Sequence, residues 1–292
     1  MMPNISFSNS LLLSLLHIYG KKFLLQRTYV YKIRMGEYYF PKGMRLSTLE
    51  ERLRFYCEEF ELEKVAEWLR ERTDKVCFAV IIGRHSRIYP EEYAEDASTT
   101  IIIDEYSDLE DVKTQIVEFV PEAVYYDRNV YDEEGNVIGQ ELAFDLDPEN
   151  ITCPIHGSLE DKMRRNQGLS FCELEFQMVK DATMRLYEYL TEQFSSLKIV
   201  YSGRGFHIHV FDKEAYTLTI EERKYIAKNA KEKDFPIDVW VTEGDMRLIR
   251  LPYSLNGLVS RIVIPLEPVK MKNFNPVIDP ACIPNFLKTS KS

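Results

Sequence analysis

Residues 197–211 read Leu-Lys-Ile-Val-Tyr-Ser-Gly-Arg-Gly-Phe-His-Ile-His-Val-Phe, two apolar stretches separated by a glycine-rich turn. The two stretches predict adjacent β-strands. Gly203 and Gly205 permit unusual backbone angles and let backbone amides approach a phosphate closely. Ser202 and Arg204 add side-chain donors for phosphate oxygens. The residues alone leave two interpretations open, a phosphate-binding loop and an ordinary glycine-rich hairpin.

Two histidines follow the turn, His207 and His209, and strand alternation places both on one face. His207 is a candidate for contact with a bound phosphate group. The alternative is a polar sheet surface whose histidines satisfy each other and their neighbours.

A second strand is predicted at 141–147, where Asp145 and Asp147 alternate with Phe144 and Leu146. Side chains two residues apart share a face and lie about 6.5–7 Å apart along a strand. Two carboxylates placed in this way could bind divalent cations, and hard oxygen ligands suit Mg²⁺ or Mn²⁺. A polar strand face that ends in an Asp-Pro turn is the alternative.

A third acidic candidate is Asp238, within a strand predicted at 237–241 whose alternate residues are apolar. The pattern directs Asp238 to the face opposite the apolar one. Arg247 and Arg250 then precede a polar turn that contains Asn256, and these three could bind more phosphate. An exposed acid and two structural salt bridges remain the alternatives.

Cysteine and histidine spacing indicates a metal site at Cys153-Pro-Ile-His156 and Cys172-Glu-Leu-Glu175. Two i,i+3 pairs on either side of a loop can bind one tetrahedral Zn²⁺ ion. Glu175 is a less usual fourth ligand than cysteine. Buried thiols beside a surface histidine are the alternative.

The chain has 292 residues with 37 basic and 47 acidic side chains, and 45% of it is hydrophobic, which excludes a mainly disordered protein. Interleaved helix and strand patterns predict an α/β or α+β fold. Five scattered cysteines favour a reducing, intracellular compartment. Helices are predicted at about 49–72, 107–120, 172–194 and from 220, with capping boxes at 47–50 and 219–222, and further strands at 77–82 and 123–126.

Residues 1–43 carry six basic residues and one acidic residue, a net charge of +5, whereas residues 44–292 carry 31 and 46, a net charge of −15. The apolar run at 11–16 is too short to span a bilayer. We therefore expect an N-terminal extension at 1–43 outside the core and a single domain at 44–292, with a metal-binding insertion at about 150–176.

The order of these motifs resembles the small catalytic subunit of archaeal and eukaryotic DNA primases over roughly residues 44–268. The matching segments are AFDLD, the Cys/His segment, YSGRGFHIHV and IDVWVT followed by RLIRLPYSLNG. The resemblance implies a mixed sheet with an RRM-like catalytic half, flanking helices and a small zinc-binding insertion.

The resemblance also implies roles for individual residues. Asp145, Asp147 and Asp238 match the catalytic metal-binding carboxylates. Ser202, Arg204 and His207 match the residues that bind the phosphates of the incoming nucleotide. Arg247 and Asn256 are further candidates for nucleotide contacts. Asn256 occupies a position where the family usually has histidine. Cys153, His156, Cys172 and Glu175 match zinc ligands, with Glu175 where a fourth cysteine is common.

The resulting hypothesis is primer synthesis on single-stranded DNA from nucleoside triphosphates, with two Mg²⁺ or Mn²⁺ ions and a structural Zn²⁺. Arg84, His85 and Arg87 are candidates for template contacts. The resemblance further implies a large primase subunit with an iron–sulfur cluster as partner, and replication forks in the cytoplasm as the location, with no membrane.

Two rival functions come from other classes. A metal-dependent sugar-nucleotide transferase also uses Asp-x-Asp, although it has no need of the zinc segment or of Asp238. A non-catalytic, zinc-containing nucleic-acid-binding subunit would keep the Cys/His segment but lose a carboxylate.

Overall fold

Two four-stranded sheets form the framework of the computed structural model, which describes residues 38–69 and 75–288. The strands are β1 (Phe78–Ile81), β2 (Ile101–Ile103), β3 (Ala123–Asp127), β4 (Asn129–Tyr131), β5 (Val137–Gln140), β6 (Leu142–Leu146), β7 (Leu197–Tyr201), β8 (Phe206–Val210), β9 (Leu248–Arg250), β10 (Leu255–Asn256), β11 (Arg261–Ile262) and β12 (Ile264–Leu266). The helices are α1 (Leu49–Glu58), α2 (Leu62–Trp68), α3 (Leu109–Phe119), α4 (Leu159–Arg164), α5 (Glu173–Leu190), α6 (Lys213–Tyr216), α7 (Ile220–Glu232), α8 (Val239–Glu243), α9 (Pro268–Met271) and α10 (Asn285–Lys288).

The first sheet has the order β2-β1-β3-β9 and the second the order β12-β7-β8-β6. All neighbouring strands in both sheets are antiparallel. The remaining described strands form two two-stranded sheets, β4-β5 and β10-β11. The predicted α/β class with flanking helices is confirmed, and the hairpin β7-β8 forms around the glycine-rich turn as expected.

The second sheet has two different faces because its side chains alternate. On one face, Phe144, Phe206 and Ile208 are fully buried in the same apolar cluster as Val179 and Leu186 of α5. The opposite face carries Asp145 and His207 of strands β6 and β8, in addition to smaller apolar residues. The helix therefore covers the apolar face and leaves the polar face for a site.

The first sheet shares a second apolar cluster with α1, α2 and α3. Ala143 and Val200, from the polar face of the second sheet, belong to this cluster. Tyr126 of β3 also contacts that face, because its hydroxyl lies 3.4 Å from Nδ1 of His209. The polar face of the second sheet therefore packs against the first sheet.

The first helix begins at residue 49 as predicted, but its capping box is shifted by one residue. Thr48, rather than Ser47, is the N-cap, and its partner in the capping box is Glu51. Ser47 is instead fully buried and donates its hydroxyl to the carbonyl of Gly257 at 3.0 Å. The predicted long helix at 49–72 is interrupted between Glu58 and Leu62.

The described part of the predicted N-terminal extension, residues 38–43, lies against the domain. The Phe40 ring packs edge-on against Phe171 at 5.8 Å, and the carbonyl of Tyr39 accepts a hydrogen bond from the amide of Phe171. The described residues belong to one compact unit, Gly36–Ser292. The remainder of the extension, including the apolar run at 11–16, lies outside the described residues.

No helix within 38–69 or 75–288 combines the length and the apolar character that a membrane crossing requires.

Candidate active site and metal cluster

The carboxylate pair stands where β6 ends. Phe144 and Leu146 are fully buried, whereas Asp145 and Asp147 are partly exposed on the opposite side, as the alternation predicted. The Oδ1 atoms of both aspartates are nevertheless buried and accept no hydrogen bond. Buried carboxylate oxygens without hydrogen bonds are costly, even where Arg204 lies 3.3 Å from Asp147 Oδ1, and a bound cation would satisfy them. The residues present therefore fit a divalent cation.

The electrostatics of this pair support the same conclusion. Burial, and then the charges of Asp147 and Asp238, raise the pKa of Asp145 well above its usual range. Burial and the charge of Glu149, partly opposed by Arg204, raise the pKa of Asp147 to about 6. A divalent cation would reverse both effects because it favours the ionised carboxylates.

Asp238 lies beside this site, but in a different secondary-structure element from the one that the sequence predicted. The strand predicted at 237–241 is wrong, since Ile237 makes only an isolated bridge to Leu146 before helix α8 begins. Asp238 is the N-cap of that helix, and its Oδ1 accepts the amide of Trp240 at 3.0 Å. Asp and Asn are strongly preferred at this position, which overrode the apolar alternation.

Backbone contact still places Asp238 beside Asp145. The amide of Asp238 donates to the carbonyl of Asp145 at 2.9 Å, and the two side-chain charges interact. The three aspartates do not form a tight group, however, because their carboxylate oxygens do not all lie within 4.8 Å of one another in the part of the chain that the structure describes. The capping bond occupies only Oδ1 of Asp238, which leaves Oδ2 as the oxygen that could bind a cation.

The glycine-rich turn packs directly on the end of β6. A Cβ atom on Gly205 would overlap the carbonyl oxygen of Leu146, so only glycine fits there. Gly203 has φ +102°, and a Cβ at that position would meet the Asn256 side chain. The turn is closed by the amide of Gly205, which donates to the Ser202 hydroxyl at 3.2 Å. Close packing therefore fixes the turn beside the carboxylates.

Arg204 links the turn to the carboxylates. Its Nη2 atom lies 2.6 Å from Glu149 Oε1 and 3.3 Å from Asp147 Oδ1. Burial disfavours the charged guanidinium, but Asp147 and Glu149 together raise the pKa of Arg204 above its usual value. Arg204 is thus a fixed cation at the edge of the site. Glu149 follows Asp147 by two residues in a short 3₁₀ turn, Pro148–Asn150, and no sequence motif marks it.

His207 lies opposite Asp145 in the β6-β8 register. Its Nε2 atom is 3.5 Å from Asp145 Oδ1, and its Nδ1 is buried without a hydrogen-bond partner. Burial and the nearby His209 lower the pKa of His207 well below the usual range, so the imidazole is neutral. His209 lies deeper, with Nδ1 2.6 Å from Glu141 Oε1, and both side chains are buried.

Asn256 positions the turn. Its Nδ2 donates to the carbonyl of Ser202 at 3.0 Å, and its Oδ1 accepts the amide of Leu258. Both ends of the amide are engaged with the backbone. Asn256 therefore holds the shape of the turn.

The two arginines of the last motif occupy different places. Arg247 lies 3.2 Å from Asp127 and donates to the hydroxyl of Tyr131, where it lines a separate cleft of about 630 Å³. Arg250 instead opposes the rise in the pKa of Asp145 through its charge, and its Nη1 is buried without a hydrogen-bond partner. Residues three apart in a strand lie on opposite faces, which explains the separation.

The four predicted zinc ligands do come together. Their ligand atoms all lie within 4.8 Å of one another, with Cys153 Sγ 3.4 Å from His156 Nδ1 and 4.0 Å from Cys172 Sγ. A tight backbone turn joins Cys153 to Gly157, and Cys172 caps helix α5. Two thiols, an imidazole and a carboxylate at these distances fit one tetrahedral ion.

Two further side chains contact the residues of this cluster. Tyr39 stacks on the His156 ring with centroids 4.3 Å apart. Lys162, fully buried, places Nζ 2.7 Å from Glu175 Oε1. The second oxygen, Oε2, accepts the amide of Cys172 at 2.9 Å and lies 3.9 Å from His156 Nδ1.

Comparison with known proteins identifies the family of this chain. The sequence profile of the DNA primase small subunit family matches residues 144–233, which include the carboxylate pair, the metal cluster and the glycine-rich turn. A protein of Archaeoglobus fulgidus, described as an uncharacterized DNA primase small subunit-like protein, is 52% identical over 271 residues, which cover 87% of this chain and 95% of that protein. The chain belongs to the DNA primase small subunit family.

More distant relatives carry the same description without the word "like". The DNA primase small subunit PriS of Pyrobaculum calidifontis is 26% identical over 212 residues, 56% of this chain and 65% of that protein. Its counterpart in Pyrococcus furiosus is 27% identical over 197 residues, 63% of this chain and 48% of that protein. The matches thus span less than two thirds of these PriS proteins.

One solved structure overlaps the fold more loosely. It is the polymerase domain of Mycobacterium tuberculosis ligase D in complex with DNA, with 12% identity, a TM-score of 0.49, and coverage of 83% of this chain and 88% of that one.

Proposed function

We propose that this chain is a DNA primase catalytic subunit, which joins nucleotides into short primers on a single-stranded DNA template. The observation that carries the proposal is the contact between the glycine-rich turn and the end of β6. This contact sets two buried carboxylate oxygens without hydrogen-bond partners next to a fixed arginine. A cation site beside a phosphate-binding turn is what nucleotidyl transfer requires.

Asp145, Asp147 and Asp238 are the residues that would hold the divalent cations, Mg²⁺ or Mn²⁺. Bound there, such ions would lower the pKa of an attacking 3′-hydroxyl and stabilise the charge on the pyrophosphate that leaves. The pKa of Asp147, raised to about 6 without metal, is consistent with a site that needs a cation to ionise fully.

The remaining residues bind and orient the triphosphate. Arg204 would exchange part of its contact with Glu149 for phosphate oxygens, because its guanidinium already lies at the edge of the site. Ser202 and the turn amides would add further donors. His207, neutral and buried, would donate a hydrogen bond without adding positive charge. Arg250 is better placed than Arg247 to contribute another cation.

The ion proposed for the Cys153, His156, Cys172 and Glu175 cluster is Zn²⁺, which this ligand set suits. All four ligand positions are taken by the protein, so the role is structural. The ion would tie the segment that contains α4 to the first turn of α5.

Other components follow from the proposed activity. A large primase subunit, carrying an iron–sulfur cluster, is the proposed partner, and single-stranded DNA near Arg84, His85 and Arg87 is the proposed template path. The proposed location is the cytoplasm, at replication forks. Sugar-nucleotide transfer and a purely binding role are disfavoured, since family membership points to polymerisation and Asp145, Asp147 and Asp238 are all present.

The direct test is primer synthesis by the purified protein on single-stranded template with labelled ATP or dATP and Mn²⁺. We expect short oligomers from the wild type and none from Asp145→Asn. Asp181→Asn, on the exposed side of α5, is the matched control and should retain activity. Equal product from the Asp145 variant, or turnover of a sugar nucleotide in place of oligomers, would overturn the proposal.

A further inference from the structure

The metal cluster contains one charged side chain that is not a ligand. Lys162 is 0% exposed, and its Nζ bonds Glu175 Oε1 at 2.7 Å and the carbonyl of Ser170 at 3.1 Å. Glu175 is also 0% exposed. A buried ion pair is expensive to form, and many such pairs are no more stable than an apolar replacement. The position of this pair beside a metal cluster therefore calls for a reason other than folding stability.

The two carboxylate oxygens of Glu175 have different neighbours. Oε1 faces Lys162, whereas Oε2 lies 3.9 Å from His156 Nδ1, on the side of the other ligand atoms. A metal-bound carboxylate commonly has its second oxygen held by a hydrogen-bond donor, which fixes its orientation. Lys162 is such a donor, placed before any ion binds.

The charges of the cluster balance only when Lys162 is counted. A divalent ion bound by two thiolates, a neutral imidazole and a carboxylate leaves one net negative charge. The ammonium of Lys162 cancels it. Without an ion, and with protonated thiols, Lys162 and Glu175 cancel each other. The buried site is thus neutral in both states, which avoids the cost of an uncompensated buried charge.

We propose that Lys162 is the counter-ion of the metal cluster, and that it allows a carboxylate, Glu175, to serve as the fourth ligand at a buried position. Lys162 is a positioning residue, because it acts on the ion through Glu175. The inference rests on the proposed metal site and is independent of primer synthesis.

The test measures Zn²⁺ affinity, by competition with a chromophoric chelator, for the wild type and Lys162→Met. We expect Lys162→Met to bind Zn²⁺ about 10- to 100-fold more weakly, as for other residues that support metal ligands. Absorption of the Co²⁺-substituted protein reports whether the ligand geometry changes as well. Circular dichroism establishes that each variant is folded before its affinity is compared.

Lys180→Met is the matched control. Lys180 is also a buried lysine, on the same helix as Glu175, but its Nζ bonds the carbonyls of Lys272 and Phe274. Its removal should affect folding stability and leave Zn²⁺ affinity within about twofold of the wild type. An equal loss of affinity in both variants would show a general effect of burial and would overturn the proposal.

A double-mutant cycle separates charge compensation from simple packing. Glu175→Gln leaves the loaded cluster with one excess positive charge, Lys162→Met leaves one excess negative charge, and the double variant is neutral. We therefore expect the double variant to bind Zn²⁺ about tenfold more tightly than the product of the two single losses predicts. Additive losses would overturn the proposal.

A separate variant, Cys153→Ser, tests whether the cluster is the metal site. If Cys153→Ser binds Zn²⁺ as well as the wild type does, the cluster is not the site, and the role of Lys162 fails with it. If Cys153→Ser abolishes binding while Lys162→Met does not weaken it, the site stands and only the counter-ion role is wrong.

Discussion

Nε2 of His207 lies 3.5 Å from Oδ1 of Asp145, across a directly opposed pair of the antiparallel strands β6 and β8. The pairing joins the strand that carries the carboxylates to the strand that follows the glycine-rich turn. Both strands are buried against α5 on their other face, which fixes the backbone positions from which the two side chains extend. Before a cation binds, this pair consists of a neutral imidazole and a carboxyl group whose pKa is raised.

Replacement of Asp147 by Asn should stabilise the metal-free protein at pH 7. The folded-state pKa of about 6 exceeds the unfolded value, so ionisation of Asp147 opposes folding at neutral pH, and that effect fades as the pH falls below 6. We expect Asp147→Asn to raise the free energy of unfolding by about 1–3 kcal/mol at pH 7, with little difference near pH 4.

Urea unfolding at both pH values, without divalent cations, measures this difference. Asp181→Asn, at an exposed position, is the control and should show no comparable gain. A variant less stable than the wild type at pH 7 would contradict the assigned sign.

Arg250 should matter for nucleotide binding and Arg247 should not. Arg250 has a buried Nη1 without a hydrogen-bond partner and acts on the charge of Asp145, whereas Arg247 is engaged with Asp127. Arg250→Met is expected to lower kcat/KM for primer extension about 100-fold. Arg247→Met should change it by less than about threefold, because the Arg247 side chain is partly exposed and the buried carboxylate of Asp127 keeps its bonds from the Tyr131 hydroxyl and the Asn129 amide. Steady-state kinetics on both variants measure these changes. A larger loss of kcat/KM in Arg247→Met than in Arg250→Met would contradict this placement.

Gly205→Ala should damage the site more than an ordinary glycine replacement does. The new methyl group would overlap the carbonyl of Leu146, which belongs to the buried strand and cannot move freely. We expect a loss of about 1–3 kcal/mol in the free energy of unfolding and a large loss of activity. Gly168→Ala is the control, because its methyl group would meet only the flexible end of Met163 among the closest atoms. Similar thermal stability for the two variants would show that the turn tolerates movement.

Removal of the ion from the cysteine cluster should lower thermal stability. Bound at about 100-fold above its dissociation constant, a structural ion stabilises by about 3 kcal/mol, which corresponds to about 5–10 °C in a domain of this size. Chelation should lower the Tm by that amount, and added Zn²⁺, unlike Mg²⁺, should restore it. Cys153→Ser should already have the lower Tm, whereas Cys77→Ser, outside the cluster, should respond to chelation as the wild type does. No shift in the wild type would exclude a structural ion.

Local patterns predicted the parts of the site that lie along a single strand or a single turn. Asp145 and Asp147 share a face because buried residues alternate with them, and this follows from strand geometry alone. The cysteine and histidine pairs assembled because i,i+3 spacing suits both a tight turn and the start of a helix.

What the sequence could not provide depends on tertiary contacts. Apolar alternation at 237–241 gave the wrong element, because the capping preference of Asp238 and its bond to Trp240 outweighed it. Arg247 and Arg250 could not be ranked without the packing of β9 against β3. Glu149 and Lys162 could be identified only from their ion pairs with Arg204 and Glu175. In a sequence alone, a single acid or lysine is most often solvent-exposed.

The seating of Gly205 on the Leu146 carbonyl has a consequence for how this enzyme can diverge. With no space between the two backbones, the distance between the backbone of the turn and the end of β6 cannot shrink, and the carboxylates and Arg204 extend from these fixed positions. A family member that handles a substrate of a different size would need to rebuild the hairpin and the end of β6 in the same step. A larger side chain in either segment alone would therefore displace the other segment.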